Sequence, residues 1–183
     1  MIQAFAFAKK RVKSMKLWIM GPADEDEKYA KECYDLVESL GVKDVEFTGR
    51  VNVRDYLGKM DFTLLTSISE GQPLTILESY AAHKPVITTD VGNCRELIYG
   101  NEDGFGDAGI LTHIMNIEEI AHAMVNMSIN EENRKRMGEA GYKRVNAFYR
   151  IDQMKDVYRE IYKGFSDSQN LSWTEESFKI NGH

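Results

Sequence analysis

Residues 61–96, DFTLLTSISEGQPLTILESYAAHKPVITTDVGNCRE, decide the fold, because they read as strand, loop, helix, strand and loop in immediate succession. The apolar run 62–66 has the continuity of a strand buried on both faces, as in a parallel sheet. The chain turns polar at Ser67, Ser69 and Glu70, and Gly71 supplies a freely rotatable backbone at the turn. Pro73 suits the first helical position, since its ring fixes φ near the helical value and the N–H it lacks has no helical partner there. A helix is therefore expected from about Pro73. Residues 85–89 form the next apolar, β-branched strand, and Asp-Val-Gly-Asn at 90–93 is the loop at its carboxyl end.

This placement separates two glutamates. Glu70 sits on the loop beyond the carboxyl end of a strand, where open parallel sheets bind their ligands, and Glu78 lies inside the helix, more than a turn along. Between them the amides of Leu74 and Thr75 lack helical acceptors, so together with the helix dipole they favour an anion such as phosphate. An ionised carboxylate is acceptor-only with two oxygens, which suits it to both hydroxyls of a vicinal diol such as a ribose. One short segment thus offers a phosphate cradle flanked by two carboxylates.

Upstream, residues 2–13 have the pattern of an amphipathic helix with basic residues at its end; the strand that should precede such a helix is not in the sequence. Residues 16–20, KLWIM, read as a strand stopped by Gly21-Pro22. A helix follows from Asp24 or Glu25 to about Leu40, with Tyr29, Cys33, Leu36 and Leu40 on one stripe and acidic residues in its first turn. Residues 45–48 are the next strand, stopped by Gly49, and 53–60 a short helix. Downstream, Gly92 or Asn93 opens a short helix to Ile98. The polar, glycine-rich GNEDGFGDAG at 100–109 is the best candidate for a mobile surface loop, and its order does not match a phosphate loop. A last short strand at 109–112 precedes helices over 117–127, 131–148 and 152–165. The polar tail 166–183, with Trp173 and Phe178 scattered in it, reads as disordered or loosely docked. Strands alternating with helices point to an open, right-handed parallel α/β sheet with helices on both faces: a Rossmann-like domain over residues 1–165, without Gly-x-Gly-x-x-Gly.

At 183 residues the chain has room for one domain with a sizeable core, burying roughly 70% of its surface. A hydrophobic share of 43% and a charged share of 28% are ordinary for a globular protein. The net charge of −6 and the lack of a basic stripe interleaved with aromatics argue against a nucleic-acid partner, while leaving room for a nucleotide. Cys33 and Cys94 are too far apart for a redox or zinc motif and read as structural, Cys33 as a small core residue. No apolar stretch approaches the ~18 residues of a membrane span, and AFAFAKK lacks the order of a signal peptide, so a reducing, cytoplasmic setting is expected.

Residues 21–97, GPADEDEKYAKECYDLVESLGVKDVEFTGRVNVRDYLGKMDFTLLTSISEGQPLTILESYAAHKPVITTDVGNCREL, resemble the C-terminal, donor-binding half of a retaining GT-B glycosyltransferase of family 4, whose hallmark is a Glu-x7-Glu segment at this place. The wording SEGQPLTILES followed by TDVGNCREL is most similar to the cytosolic glycosyltransferases of exopolysaccharide synthesis. The resemblance extends over residues 2–165 and makes the chain one half of a GT-B fold. It implies that Glu70 faces the donor sugar, holding a hydroxyl and stabilising positive charge as the glycosidic bond breaks, and that Glu78 grips the ribose hydroxyls. The amides of Leu74 and Thr75 would meet the distal phosphate, and those of Gly71 and Gln72 the sugar edge. Gly49, Arg50 and Val51 would lie beside the base, and Gly21 would line the floor near the diphosphate. The implied reaction moves a hexosyl group from a UDP-sugar such as UDP-glucose to an exopolysaccharide or other glycan, with retention and with neither a metal nor another cofactor. Its implied partners are an N-terminal acceptor-binding domain, missing from this sequence, and membrane proteins of an exopolysaccharide assembly.

The sequence also departs from that family. Gln72 and Pro73 stand where Glu-Gly-Phe-Gly is common, so one N–H is lost and a side-chain amide is gained beside the sugar. His83 stands where a glycine is common and reads as an ordinary helix C-cap. The Arg/Lys pair that the family places ahead of the first helix is unmatched, since Lys9, Lys10 and Arg11 come too late and read as a solvated helix end. Two further readings of the same fold stand beside transfer: a non-catalytic nucleotide-binding or assembly module, and a phosphorylase or epimerase. Arg50 reads equally well as a surface arginine, Arg95 and Glu96 as an internal ion pair or cap, and His113, His122 and His183 as structural or exposed.

Overall fold

The computed structural model describes residues 1–168, in two compact units that meet in sequence at residues 147 and 148. The first contains α1 (Ile2–Arg11), β1 (Leu17–Met20), α2 (Glu27–Ser39), β2 (Val45–Gly49), α3 (Arg54–Leu57), β3 (Thr63–Leu65), α4 (Leu74–Ala81), β4 (Val86–Thr89), α5 (Cys94–Tyr99), β5 (Gly109–Thr112), α6 (Ile117–Ile129) and nearly all of α7 (Glu131–Phe148). The second is α8 (Ile151–Ser168), whose Ile151, Met154, Tyr158, Ile161 and Phe165 recur on one face at three- and four-residue spacing. That helix runs beyond the expected end at residue 165; Trp173, Phe178, His183 and the rest of the expected tail lie outside the described residues.

The parallel α/β layering expected from the alternation is present, but the one open sheet is divided. β1 and β2 form a parallel pair, Leu17 opposite Val45, with a register shift between Ile19 and Met20. β3, β4 and β5 form a second parallel sheet, with Leu64 opposite Ile87 and Ile87 opposite Ile110. One face carries α1 and α6: Ala4, Phe5, Ala8, Ile120, Met124 and Met127 enclose Leu17 and Ile87. Each large side chain fully buried there contributes about 1.5–3 kcal/mol. Thr88, adjacent to Ile87 in the strand and therefore on the opposite face, meets Cys94 of α5 (Oγ1 to Sγ, 3.5 Å). On that side Ile76 and Tyr80 of α4 and Leu97 and Ile98 of α5 are completely buried, and the Tyr80 hydroxyl donates to the Leu97 carbonyl at 3.0 Å.

Several expectations are corrected. The run 62–66, read as buried on both faces, is only half-buried throughout, whereas β4, with partners on both sides, is buried at all four positions. Cys33 is partly exposed on α2, a helix with no buried residue. The 100–109 segment is not a loose loop, because Arg144 of α7, 1% exposed, reaches into it. Its guanidinium donates to both oxygens of Asp103 (2.6 and 3.1 Å), to the Leu97 and Ile98 carbonyls that end α5 (2.9 and 3.0 Å), and to the Gly106 carbonyl (2.7 Å). Every N–H of that fork has an acceptor in reach, so the buried charge is compensated.

Candidate functional site

The loops at the carboxyl ends of β1, β2, β3 and β4 hold the residues singled out in the sequence. Gly21 (φ +147°) follows β1, and its N–H donates to the carbonyl of Gly49 at 3.1 Å, so the two glycines are brought together across the first sheet. Arg50 and Val51 continue from Gly49. The Arg50 guanidinium lies 3.5 Å from Glu25 in a pair exposed on both sides. Arg95, expected in a pair or cap with Glu96, makes its short contact with Asp90 at the end of β4.

Glu70 is half-buried and held from three directions. Ser67 Oγ donates to its carboxylate at 2.6 Å, and Thr89 Oγ1, fully buried at the end of β4, donates to the Ser67 carbonyl at 2.5 Å. The Asn93 N–H donates to the Gly71 carbonyl at 2.9 Å, tying the glutamate loop to the next loop along the sheet. Gly92 (φ +51°) lies so close that an added Cβ would stand 2.1 Å from the Glu70 carbonyl oxygen and 2.6 Å from that of Gly71. The conformational role expected of Gly71 therefore belongs to Gly92: Gly71 has no positive φ and open space around it. Ser67, Thr89, Gly92 and Asn93 were not among the expected site residues. The one signal available was the strand-end loop Asp-Val-Gly-Asn, whose glycine marks a tight approach only once its neighbour is known.

Pro73 is the N-cap of α4 rather than its first residue, with ψ at 115°, well outside the helical range. Helical bonding begins with the Ile76 N–H on the Pro73 carbonyl (3.2 Å), which leaves the amides of Leu74 and Thr75 ahead of the first bonded turn. Pro73 is buried, while Gln72, Leu74 and Thr75 are exposed. Glu78 is also exposed, one turn beyond Leu74 on the solvent face of α4; the buried face is Ile76, Ser79 and Tyr80. At the far end, His83 (φ +56°) occupies the left-handed position of a Schellman cap, with Lys84 N–H on the Ser79 carbonyl (2.8 Å) and His83 N–H on the Tyr80 carbonyl (2.9 Å). Its ring stacks on Tyr142 with 3.7 Å between centroids, and its Nδ1 is 3.2 Å from Glu139. His83 is thus a structural cap, as expected. His113, exposed, pairs with Glu119 at 2.9 Å, and His122 is exposed.

Chemically, this edge of the domain combines a fixed carboxylate, two free amides at a helix start and a second carboxylate one turn on. It can take an anion at the amides and hydroxyl donors on either side.

The chain is 31% identical over 163 residues to N-acetyl-alpha-D-glucosaminyl L-malate synthase of Bacillus anthracis, an alignment covering 88% of this chain and 40% of that protein. The chain spans about 40% of the length of the curated relatives that match it over most of its residues. HepE of Anabaena in complex with UDP shares the fold, with a TM-score of 0.76, 20% identity, and coverage of 89% of this chain and 44% of that one. So does the C-terminal domain of the glycosyl transferase group 1 family protein LpcC from Francisella tularensis, with a TM-score of 0.71, 23% identity, and coverage of 82% and 77%. Residues 1–144 match the glycosyl transferases group 1 family as a whole, and the chain belongs to that family.

Proposed function

We propose that this chain is the donor-binding half of a retaining glycosyltransferase that takes a UDP-sugar. The observation that carries the reading is the clamped Glu70 loop running directly into the free amides of α4, with Glu78 one turn further on. In this reading the amides of Leu74 and Thr75 receive the distal phosphate, and Glu78 takes the ribose diol. Gly71 and Gln72 border the sugar, Gly21 lies under the diphosphate, and Gly49, Arg50 and Val51 flank the base. Glu70 lies against the sugar ring. As the bond to the diphosphate lengthens, positive charge grows on the ring and negative charge on the leaving oxygen, so a carboxylate and helix-start donors both bind more tightly in the transition state than in the ground state. No step of this scheme assigns work to a metal.

UDP as the nucleotide is supported by the presence of UDP in the HepE complex. Glucose as the sugar, and an exopolysaccharide as the acceptor, rest on the likeness of SEGQPLTILES and TDVGNCREL to the glycosyltransferase of Pel exopolysaccharide synthesis, PelF, within family 4. In this reading its partners are an N-terminal acceptor-binding domain and membrane proteins of an exopolysaccharide assembly.

Calorimetric titration with UDP, ADP and GDP tests the proposal. Weak but selective binding of UDP is expected, falling at least about tenfold in Glu78→Ala, since a hydrogen bond to a charged group contributes roughly 1.5–3 kcal/mol. Equal binding by the variant overturns the ribose assignment, and preference for another nucleotide overturns the uridine reading.

A further inference from the structure

The end of the first unit opposite the Glu70 loops carries a charge unlike that of the chain as a whole. Residues 9–16, KKRVKSMK, hold five cations and no acid, and Lys43 and Asp44 stand beside them ahead of β2, in a chain whose net charge is −6. Lys9 is turned inward: its ammonium donates to the Met15 carbonyl and to the Asp44 carboxylate at 2.5 Å each, so the acid of this cluster is already taken. That hydrogen bond holds the Asp44 carboxyl below the usual carboxylate range, and the charges of Lys9, Lys16 and Lys43 add to it, which places those lysines around one point. Lys10, Arg11, Lys13, Lys16 and Lys43 are all exposed.

A helix C-terminus attracts cations through its dipole, which accounts for Lys9, Lys10 and Arg11 but not for Lys13, Lys16 and Lys43, which lie beyond the last turn of α1. Nor does the dipole account for the apolar side chains bared beside them. Phe7, one turn before Arg11, is 57% exposed, with the Lys10 ammonium 5.1 Å from its ring centroid. Ile129, the last residue of α6, is 71% exposed. Both line an open groove between α1 and α6 that is floored by the buried Ala8 and Ala121, and Lys10 and Arg11 line it with them. Glu118 lines it as well, at the opposite end of α6.

A surface of this kind fits a layer of negative charge over an apolar interior. Its cations are mainly lysines, compact charges on flexible stems, distributed over a helix end, a link and two strand starts. Recognition of a carboxylate at one fixed place favours the rigid fork of arginine, whereas a fluid array of phosphates needs only charge within reach. An aromatic ring and a branched aliphatic side chain set among those charges have the chemistry of the boundary between headgroups and acyl chains. We propose that this end of the domain, centred on Lys10, Arg11, Lys13 and Phe7, docks on an anionic phospholipid bilayer. The cations meet headgroup phosphates, and Phe7 and Ile129 enter the boundary beneath them. The Glu70 loops then face away from the bilayer, since they leave the carboxyl ends of the strands while Lys16 and Lys43 precede the amino ends of β1 and β2. This inference rests on charge and exposure and is independent of the nucleotide reading.

Cosedimentation of the 183-residue chain with lipid vesicles tests it. In about 0.1 M salt, vesicles of phosphatidylcholine with roughly one third phosphatidylglycerol are expected to bind the chain at least about tenfold more tightly than phosphatidylcholine alone. At about 1 M salt, where the screening length falls to roughly 3 Å, that binding is expected to be lost. Lys10→Gln, Arg11→Gln and Lys13→Gln combined are expected to weaken it about a hundredfold, and Phe7→Ser about fivefold or more, with far-ultraviolet circular dichroism unchanged. The same charge removed elsewhere, by Lys31→Gln, Lys135→Gln and Lys163→Gln, is expected to weaken it less than about threefold. Equal losses in the two triple variants reduce the effect to net charge and overturn the proposal. Binding that survives the first triple variant but is lost on Ile161→Asp belongs to α8 and overturns it equally. No binding to the anionic vesicles, or equal binding to the neutral ones, overturns it outright; should Phe7→Ser unfold the chain, the two triple variants still decide.

Discussion

Gly92 shows how one residue can fix a site it does not form. A left-handed φ and a backbone carbonyl 2.1 Å from where its Cβ would stand are separate penalties, and neither can be relieved by a rotamer change. Gly92→Ala is expected to lose about 2 kcal/mol or more of stability and to displace the Glu70 loop, which thermal unfolding and UDP titration measure together. Gly71→Ala, with ordinary backbone and open surroundings, is expected to stay within about 0.5 kcal/mol. The positions of Glu70 on a strand-end loop and of Glu78 inside α4 are legible in the sequence because each follows from local order: strand end, turn, helix. The support from Ser67, Thr89 and Gly92 is not, because it depends on two loops some 22 residues apart being pressed together.

At the scale of elements, α7 docks through a face of small residues. A Cβ on Gly138 would lie 2.2 Å from the His83 carbonyl oxygen, and one on Gly141 2.4 Å from the Tyr80 ring. Alanine is a better helix former than glycine by about 1 kcal/mol, but overpacking against a fixed backbone costs about 1–3 kcal/mol, so Gly138→Ala is expected to be destabilising. Gly164→Ala in α8, where among the described residues nothing lies within 4 Å of the added Cβ, keeps the propensity gain alone. Chemical denaturation of the two variants reads the difference, and a stabilised Gly138→Ala would refute the docking account. Periodicity and capping residues make the position and type of nearly every element readable in advance. What they do not reveal is which edges are paired. Residues 62–66 carry a central strand's composition, but burial depends on a neighbour that local pattern does not contain. The Arg144 clamp is hidden for a similar reason: a lone arginine on a polar helix looks solvated until Asp103, 41 positions away, is placed beside it.

For the whole molecule, that clamp sets an acid limit. Hydrogen bonds from Arg144 hold the Asp103 carboxyl below the usual carboxylate range. In the unfolded chain an aspartate titrates near pH 3.9, so the stability this pair supplies is complete above that value and is lost as the pH falls through the lower folded one. Asp44, Glu119, Glu131 and Asp152 are also held low by their neighbours, but at more exposed positions where solvent and salt screen the effect. Asp103→Asn is therefore expected to be less stable at neutral pH, by roughly 3–5 kcal/mol for a broken buried pair, and to lose less of what remains between about pH 5 and 2. Urea midpoints across that range measure both, and an unchanged acid slope would assign the limit to other carboxylates. The divided sheet has its own consequence, in time rather than energy. On the ribosome β3 is made about 46 residues after β1, so at about 5–20 residues per second the two half-sheets appear roughly 2–9 s apart. For those seconds the β1–β2 pair stands before β3 has been made, and neighbouring copies on one messenger are then best placed to pair with it by mistake.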